Sequence, residues 1–140
     1  MNMQNDIERI VKRCGTNDPF TICDYYHIIV QFQPLGSICG IHQYACHQDI
    51  IHINEALDDV WKRFTCAHEL GHAFLHERTN TSWLARYTGF SVDRVEHQAD
   101  EFAVRLLTYG MKPIEGMTIR QAAAIYGVLP DRVEMLRAVV

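Results

Sequence analysis

The chain lacks the features of a protein made for an oxidising compartment. Its five cysteines form an odd set without any Cys-x-x-Cys pair, which argues against a disulfide framework. The first six residues contain neither the basic region nor the apolar segment that is typical of a signal peptide. We therefore expect a cytoplasmic protein.

Long apolar runs and an excess of positive charge are also missing. No hydrophobic stretch approaches the roughly 18 residues needed to cross a bilayer, so we expect no membrane association. The formal net charge of −4 offers no basic surface for nucleic acid, and a protein substrate is the simpler expectation. Internal repeats, low-complexity tracts and linkers are absent too. The 140 residues therefore predict a single domain over 1–140.

The most informative pattern that the chain does contain is H-E-x-x-H, which falls within a predicted helix. His68 and His72 lie one helical turn apart on the same face, about 6 Å along the axis, so both rings can reach one ion. Glu69 lies about 100° around the helix from His68, where it can reach a water on that ion without binding the ion. This arrangement is typical of a zinc-dependent peptidase.

Hydrophobic periodicity around the motif predicts the secondary structure. Helices are expected over 6–14 with a stop at Gly15, from Asp18-Pro19 to about residue 25, from 58 or 59 to about 76, and from 92 or 93 to 109. The last of these has an apolar stripe at helical spacing: Val95, Ala99, Phe102, Ala103, Leu106 and Leu107. Strands are expected over 28–32, 37–46 and 49–54, with the last two joined across His47-Gln48 and with Ile51 and Ile53 on the buried face of the third. A capping box at Thr118 predicts a helix that stops at Gly127, and a last helix begins at residue 130 or 131.

These elements predict an α+β fold. A small three-stranded, largely antiparallel sheet packs against a zincin-type active-site helix and a following helical bundle. In this interpretation residues 1–57 contribute the N-terminal helices and the sheet. Residues 58–140 contribute the metal site and a C-terminal helix pair.

A catalytic zinc site needs a third protein ligand, and three candidates compete. His76 lies eight residues beyond His68, about 12 Å along an unbroken helix, and is interpreted as a cleft-edge or surface residue. Glu96 and Asp100 lie one turn apart on the next long helix. There Glu96 can bind the ion while Asp100 accepts a hydrogen bond from a ligand histidine. His97 points about 100° away from Glu96, so at most one of these two faces the metal.

Two segments together resemble the ImmA/IrrE family of metallopeptidases. Residues 64–76 contain Ala-His-Glu-Leu-Gly-His, and residues 95–107 follow the family pattern E-x-x-A-[DN]-x-F-A-x-x-L-L. The resemblance implies that His68, His72 and Glu96 are zinc ligands and that Glu69 is the general base. Asp100 falls on the family's Asn/Asp position, in keeping with a supporting role behind a ligand.

The resemblance also implies a function in the regulation of a prophage or mobile element. The expected activity is that of a gluzincin-like metalloendopeptidase, which cleaves or inactivates a helix-turn-helix repressor by using a zinc-activated water. A two-imidazole, one-carboxylate site also suits iron or manganese. An alternative from another class is a non-catalytic anti-repressor that keeps zinc as a structural ion, although an intact Glu69 argues against it.

A further alternative is DNA binding through the C-terminal helix pair. Ala123, Gly127 and Val133 have the spacing of a helix-turn-helix skeleton, with the glycine at the turn. The second helix of this pair, over 131–137, balances two acidic residues against two arginines. Because it lacks the residues that read bases, we favour helical packing or substrate docking over DNA binding.

Overall fold

The fold is taken from a computed structural model that describes residues 2–76, 92–110 and 116–129. In chain order, its elements are α1 (Met3–Cys14), α2 (Pro19–Tyr25), β1 (Ile29–Gln33), β2 (Gly40–Ala45), β3 (Gln48–Asn54), α3 (Asp59–Leu75), α4 (Val92–Leu107) and α5 (Ile119–Tyr126). The predicted α+β class is confirmed. The predicted last helix and the segment over 77–91 lie outside the described residues.

Local capping chemistry sets the helix boundaries. α1 begins three residues earlier than predicted, because the Asn2 side chain accepts hydrogen bonds from the N–H groups of Gln4 and Asn5. It ends at Gly15, whose φ of 72° lies in the left-handed region that glycine adopts without strain. α2 begins after Asp18 as predicted, with proline in its first turn.

The sheet has the strand order β1-β3-β2 and is mixed. β2 pairs with β3 in antiparallel fashion, as predicted, whereas β1 pairs with β3 in parallel. The hairpin turns at Cys46 and His47, which both have positive φ, one residue before the predicted junction. β3 is therefore the central strand. Its alternation is as predicted, because Ile51 and Ile53 are fully buried while His52 lies on the other face.

Helix α3 lies between the sheet and α4, and this layer holds the core. The predicted apolar stripe of α4 is buried throughout: Val95, Ala99, Phe102, Ala103, Leu106 and Leu107. Gly71 allows the two helices to approach closely, because a Cβ there would lie 3.1 Å from the Phe102 ring. This close approach fixes the rotation of α4 relative to α3.

The N-terminal segment anchors the far end of α4. The Asn17 side chain donates hydrogen bonds to the carbonyl groups of Leu106 and Leu107 in the last turn, where the regular hydrogen bonds of the helix end. Arg105 also donates to the Gln4 side chain on α1 at 3.0 Å. Helix α5 has the predicted capping box at its start. Within the described ranges, each helix is too short or too polar to traverse a lipid bilayer.

Candidate metal centre

Helix α3 presents its two motif histidines on one face. The ring centroids of His68 and His72 lie 4.9 Å apart, as expected for residues separated by one turn. The His72 side chain is almost fully buried, and Glu69 beside it is only 6% exposed. One ligand atom from each of these three residues lies within 4.8 Å of the others. Among the described residues, this is the one group of histidine and acidic side chains compact enough to hold an ion.

Helix α4 brings the Glu96 carboxylate onto the same point. Its Oε2 lies 2.9 Å from Nε2 of His68, and its Oε1 lies 3.0 Å from Nε2 of His72. His97, the neighbouring candidate, is exposed. His76 caps the C-terminal end of α3, where the helical backbone has already ended. Of the three candidates for a third ligand, Glu96 is therefore the one that joins the histidine pair.

Asp100 supports the site from behind His68. The Nδ1–H of His68 donates to Oδ1 of Asp100 at 2.8 Å, and Asp100 is itself buried. This hydrogen bond leaves Nε2 of His68 directed toward Glu96. A carboxylate in this position fixes the orientation of an imidazole and increases its basicity as a ligand.

The electrostatics of the cluster favour a positive charge at its centre. Burial by itself would lower the pKa of His68, but hydrogen bonds to Asp100 and Glu96 outweigh it and raise the pKa to about 10. Hydrogen bonds from His68 and His72 hold the pKa of Glu96 well below its ordinary value. Burial raises the pKa of Glu69, an effect that the two histidines oppose. Three carboxylates around two imidazoles are thus arranged to stabilise a cation.

This donor set fits a divalent metal ion. Two imidazole Nε2 atoms and a carboxylate converge on one point, and Glu69 stands next to it with its Oε1 4.0 Å from Nε2 of His68. Two histidines and one glutamate leave a coordination position for a water or substrate, which is typical of catalytic rather than structural zinc.

A cleft of about 260 Å³ opens beside the cluster. Its polar floor includes His68, Glu69 and Glu96, and its apolar wall is formed by Trp61, Phe64 and Leu129. Gly40 lines the cleft from β2, where a Cβ would lie only 2.5 Å from the Thr65 methyl carbon and 3.3 Å from Cγ of Glu69. Gly40 was not among the residues predicted for the site, although a glycine inside a strand is a known sign of close backbone approach.

His42 is a second residue near the cluster that was not predicted for the site. This side chain is buried between β2 and α3, and its Nε2 lies 2.7 Å from Oδ1 of Asp49. The backbone of His42 forms a hydrogen bond with the Glu69 carboxylate. Its two-residue spacing from Gly40 along β2, on one face of the strand, was the signal that could have indicated this position.

Comparison with known proteins agrees with this architecture. The model of a peptidase family described as the IrrE N-terminal-like domain matches residues 23–110, a range that contains both α3 and α4. The chain belongs to the ImmA/IrrE family of metallopeptidases. The predicted resemblance is thereby confirmed. Membership implies a divalent metal ion and a protein substrate.

Two relatives illustrate the family. The chain is 36% identical over 134 residues to metallopeptidase ImmA of Bacillus subtilis (strain 168), covering 90% of this chain and 78% of that protein. It is 37% identical over 102 residues to "Uncharacterized immunity region protein 2" of Bacillus phage phi105. That match covers 72% of this chain and 65% of the phage protein, just under two thirds of its length.

Proposed function

We propose that this chain is a zinc-dependent endopeptidase that cleaves, and so inactivates, a helix-turn-helix repressor of a phage or mobile element. The supporting observation is the convergence of His68, His72 and Glu96 on one point, with Glu69 beside it. We likewise propose that residues 1–140 form a single metallopeptidase domain, since α3 packs against both the sheet and α4.

In the proposed mechanism, His68, His72 and Glu96 would hold the zinc ion. When bound there, the ion would supply Lewis acidity to the scissile carbonyl and to a water molecule. Glu69 takes the proton from the attacking water and delivers it to the leaving amine nitrogen. Asp100 keeps the His68 ring in the orientation that ligation requires. The low exposure of Glu69 keeps bulk water away from the carboxylate that transfers the proton.

The outer edge of β2 suits an extended substrate segment. The N–H of Asn54 donates to the carbonyl of Cys39, so alternation turns the backbone groups of Gly40 and the carbonyl of His42 away from β3, while the N–H of His42 donates to the Glu69 carboxylate. Among the described residues no strand pairs with this edge. We propose that a repressor segment adds to this edge as a strand and so passes its scissile bond across the cluster.

The name of one relative supports a role connected with a phage. It is a phage protein that carries "immunity region" in its name. The apolar wall of the cleft and its limited volume favour a narrow choice of substrate rather than general digestion.

Replacing Glu69 by Gln tests the catalytic proposal. The amide keeps the shape of the side chain but cannot accept the water proton, so repressor cleavage should fall by at least about 100-fold. Zinc content and folding should stay unchanged. Glu101→Gln is the matched control, because Glu101 pairs with Arg105 away from the cluster. If Glu69→Gln still releases the repressor from its operator, the protein acts by binding and the proposal is wrong.

A further inference from the structure

Two buried histidines near the cluster each have one ring nitrogen without a hydrogen-bond partner among the described residues. These atoms are Nδ1 of His42 and Nδ1 of His72. The side chain of His42 is 1% exposed and that of His72 is 3% exposed, so bulk water reaches neither ring. An unpaired buried polar group destabilises the folded state, so two of them on facing elements need an explanation.

The two nitrogens have complementary hydrogen-bonding roles. His42 donates its Nε2–H to the Asp49 carboxylate at 2.7 Å, which leaves Nδ1 as a lone-pair acceptor when the ring is neutral. Burial lowers the pKa of His42 despite this hydrogen bond, in favour of the neutral ring. When Nε2 of His72 binds the ion instead of donating to Glu96, the single proton of the neutral ring lies on Nδ1 and makes that atom a donor. The His42 ring therefore offers an acceptor, and the His72 ring offers a donor.

The two rings also belong to facing elements. His42 is buried on the face of β2 that packs on α3, and its backbone forms a hydrogen bond with Glu69, three residues before His72. The direct ring-to-ring distance exceeds a hydrogen bond, since neither Nδ1 has a partner. The two rings are near enough for the charge of His72 to lower the pKa of His42, and one buried water between them would accept from the donor and donate to the acceptor.

We propose that His42 and Asp49 are positioning residues for the metal centre, which hold the His72 ring in its Nδ1–H tautomer through one buried water. The relay runs from the Asp49 carboxylate to His42, then through the water to His72, whose Nε2 is left free to bind the ion. It is the counterpart of the direct contact between Asp100 and His68 on the other ligand. The inference rests on the metal site of the proposed function.

Zinc affinity of purified full-length variants, measured by competition with a chromophoric chelator, tests the relay without any substrate. His42→Leu fills the space but removes the acceptor, and zinc should bind about 10–100-fold more weakly. His42→Asn places an amide oxygen close to the position of Nδ1, so its affinity should stay within a few-fold of the wild type. If His42 only fills space, His42→Leu should instead bind zinc more tightly than His42→Asn, because asparagine leaves a polar cavity.

Controls separate the possible failures. His52 lies on the opposite face of the same sheet, so the control substitution His52→Leu should leave zinc affinity unchanged. If His72→Ala retains full zinc affinity, the metal site of the proposed function is wrong. If His72→Ala loses zinc but His42→Leu binds it as tightly as the wild type, the metal site stands and the relay is overturned. Equal affinities of the Leu and Asn variants at position 42 also overturn it.

Tautomer assignment in the zinc-loaded wild type covers the case in which a His42 variant does not fold. Long-range ¹H–¹⁵N correlation spectra should show His42 protonated on Nε2 and His72 protonated on Nδ1. Asp49→Asn keeps the size of the side chain but removes its charge, and should weaken this preference of His42. A His42 ring that carries its proton on Nδ1 in the wild type has no acceptor to offer, and the relay would then be excluded.

Discussion

Replacing Gly40 by Ala perturbs the one position where β2 touches the helix of the metal centre most closely. The new methyl group would lie 2.5 Å from the Thr65 methyl carbon, 3.1 Å from the His52 carbonyl oxygen and 3.3 Å from Cγ of Glu69. An ordinary carbon–carbon contact is about 3.5–4.0 Å, so β2 must move away from α3 by roughly 1 Å. Overpacking of this kind costs about 1–3 kcal/mol. Restriction of the unfolded chain offsets about 0.4–1 kcal/mol of this cost, so the middles of the two ranges leave a net loss of about 1 kcal/mol.

Urea unfolding followed by circular dichroism, with EDTA present, measures this loss without a contribution from metal binding. Cleavage should fall further than stability, because a shift of β2 displaces the His42 backbone that holds the Glu69 carboxylate, and a misplacement of about 1 Å costs about 100-fold in rate. Thr65→Ser removes the clashing methyl group and keeps the hydroxyl, so the double variant should recover most of the lost stability. A Gly40→Ala protein as stable as the wild type, or a double variant with purely additive losses, would refute this packing argument.

Three further predictions concern the cluster and the thiols. Asp100→Ala removes the acceptor for His68 Nδ1–H, so zinc affinity should fall about 10–100-fold in chelator competition, and an unchanged affinity would contradict this. The pKa of His68 is raised from 6.5 to about 10, so the metal-free ring is protonated at pH 7. Zinc binding should release about one proton, measured by calorimetry in buffers of different ionisation enthalpy, whereas no release would refute it. Contact with Cys23 and burial raise the pKa of Cys66, so iodoacetamide should modify exposed Cys46 and spare both buried thiols in the native protein.

The features that the sequence predicted well are those encoded by neighbouring residues. The stop at Gly15, the start at Asp18-Pro19 and the buried stripe of α4 depend only on local chemistry and helical period. The alternation of Ile51 and Ile53 likewise indicated which face of β3 is buried. Each of these signals acts within a few residues of the structure that it specifies.

The pairing of the strands could not be predicted in the same way. Nothing in β1 indicates that it lies beside β3 or that the two run in parallel, because that choice depends on how the chain passes around the sheet. The hairpin turn also falls one residue early, at Cys46 and His47, where positive φ is adopted without the Asn-Gly or Asp-Gly pair that usually indicates it.

The candidate site likewise combines residues that helical spacing places together with residues that only tertiary packing brings together. The spacing of His68 and His72 within one helix was sufficient to place their rings together. The choice between Glu96 and His97 depended on the rotation of α4, which the packing of Phe102 against Gly71 fixes. The contact between His42 and Asp49 depended on the hairpin register. Residues that meet through tertiary packing were therefore the ones that the sequence could not specify without the family resemblance.

Anomalous diffraction from zinc-loaded crystals at the zinc absorption edge tests the proposed metal site itself. One strong peak is expected, about 2.0–2.2 Å from Nε2 of His68, Nε2 of His72 and a carboxylate oxygen of Glu96. Glu69 should lie next to the ion without binding it. If the ion is bound by His76 or His97 in place of Glu96, or if no peak lies between the two motif histidines, the proposed site is wrong.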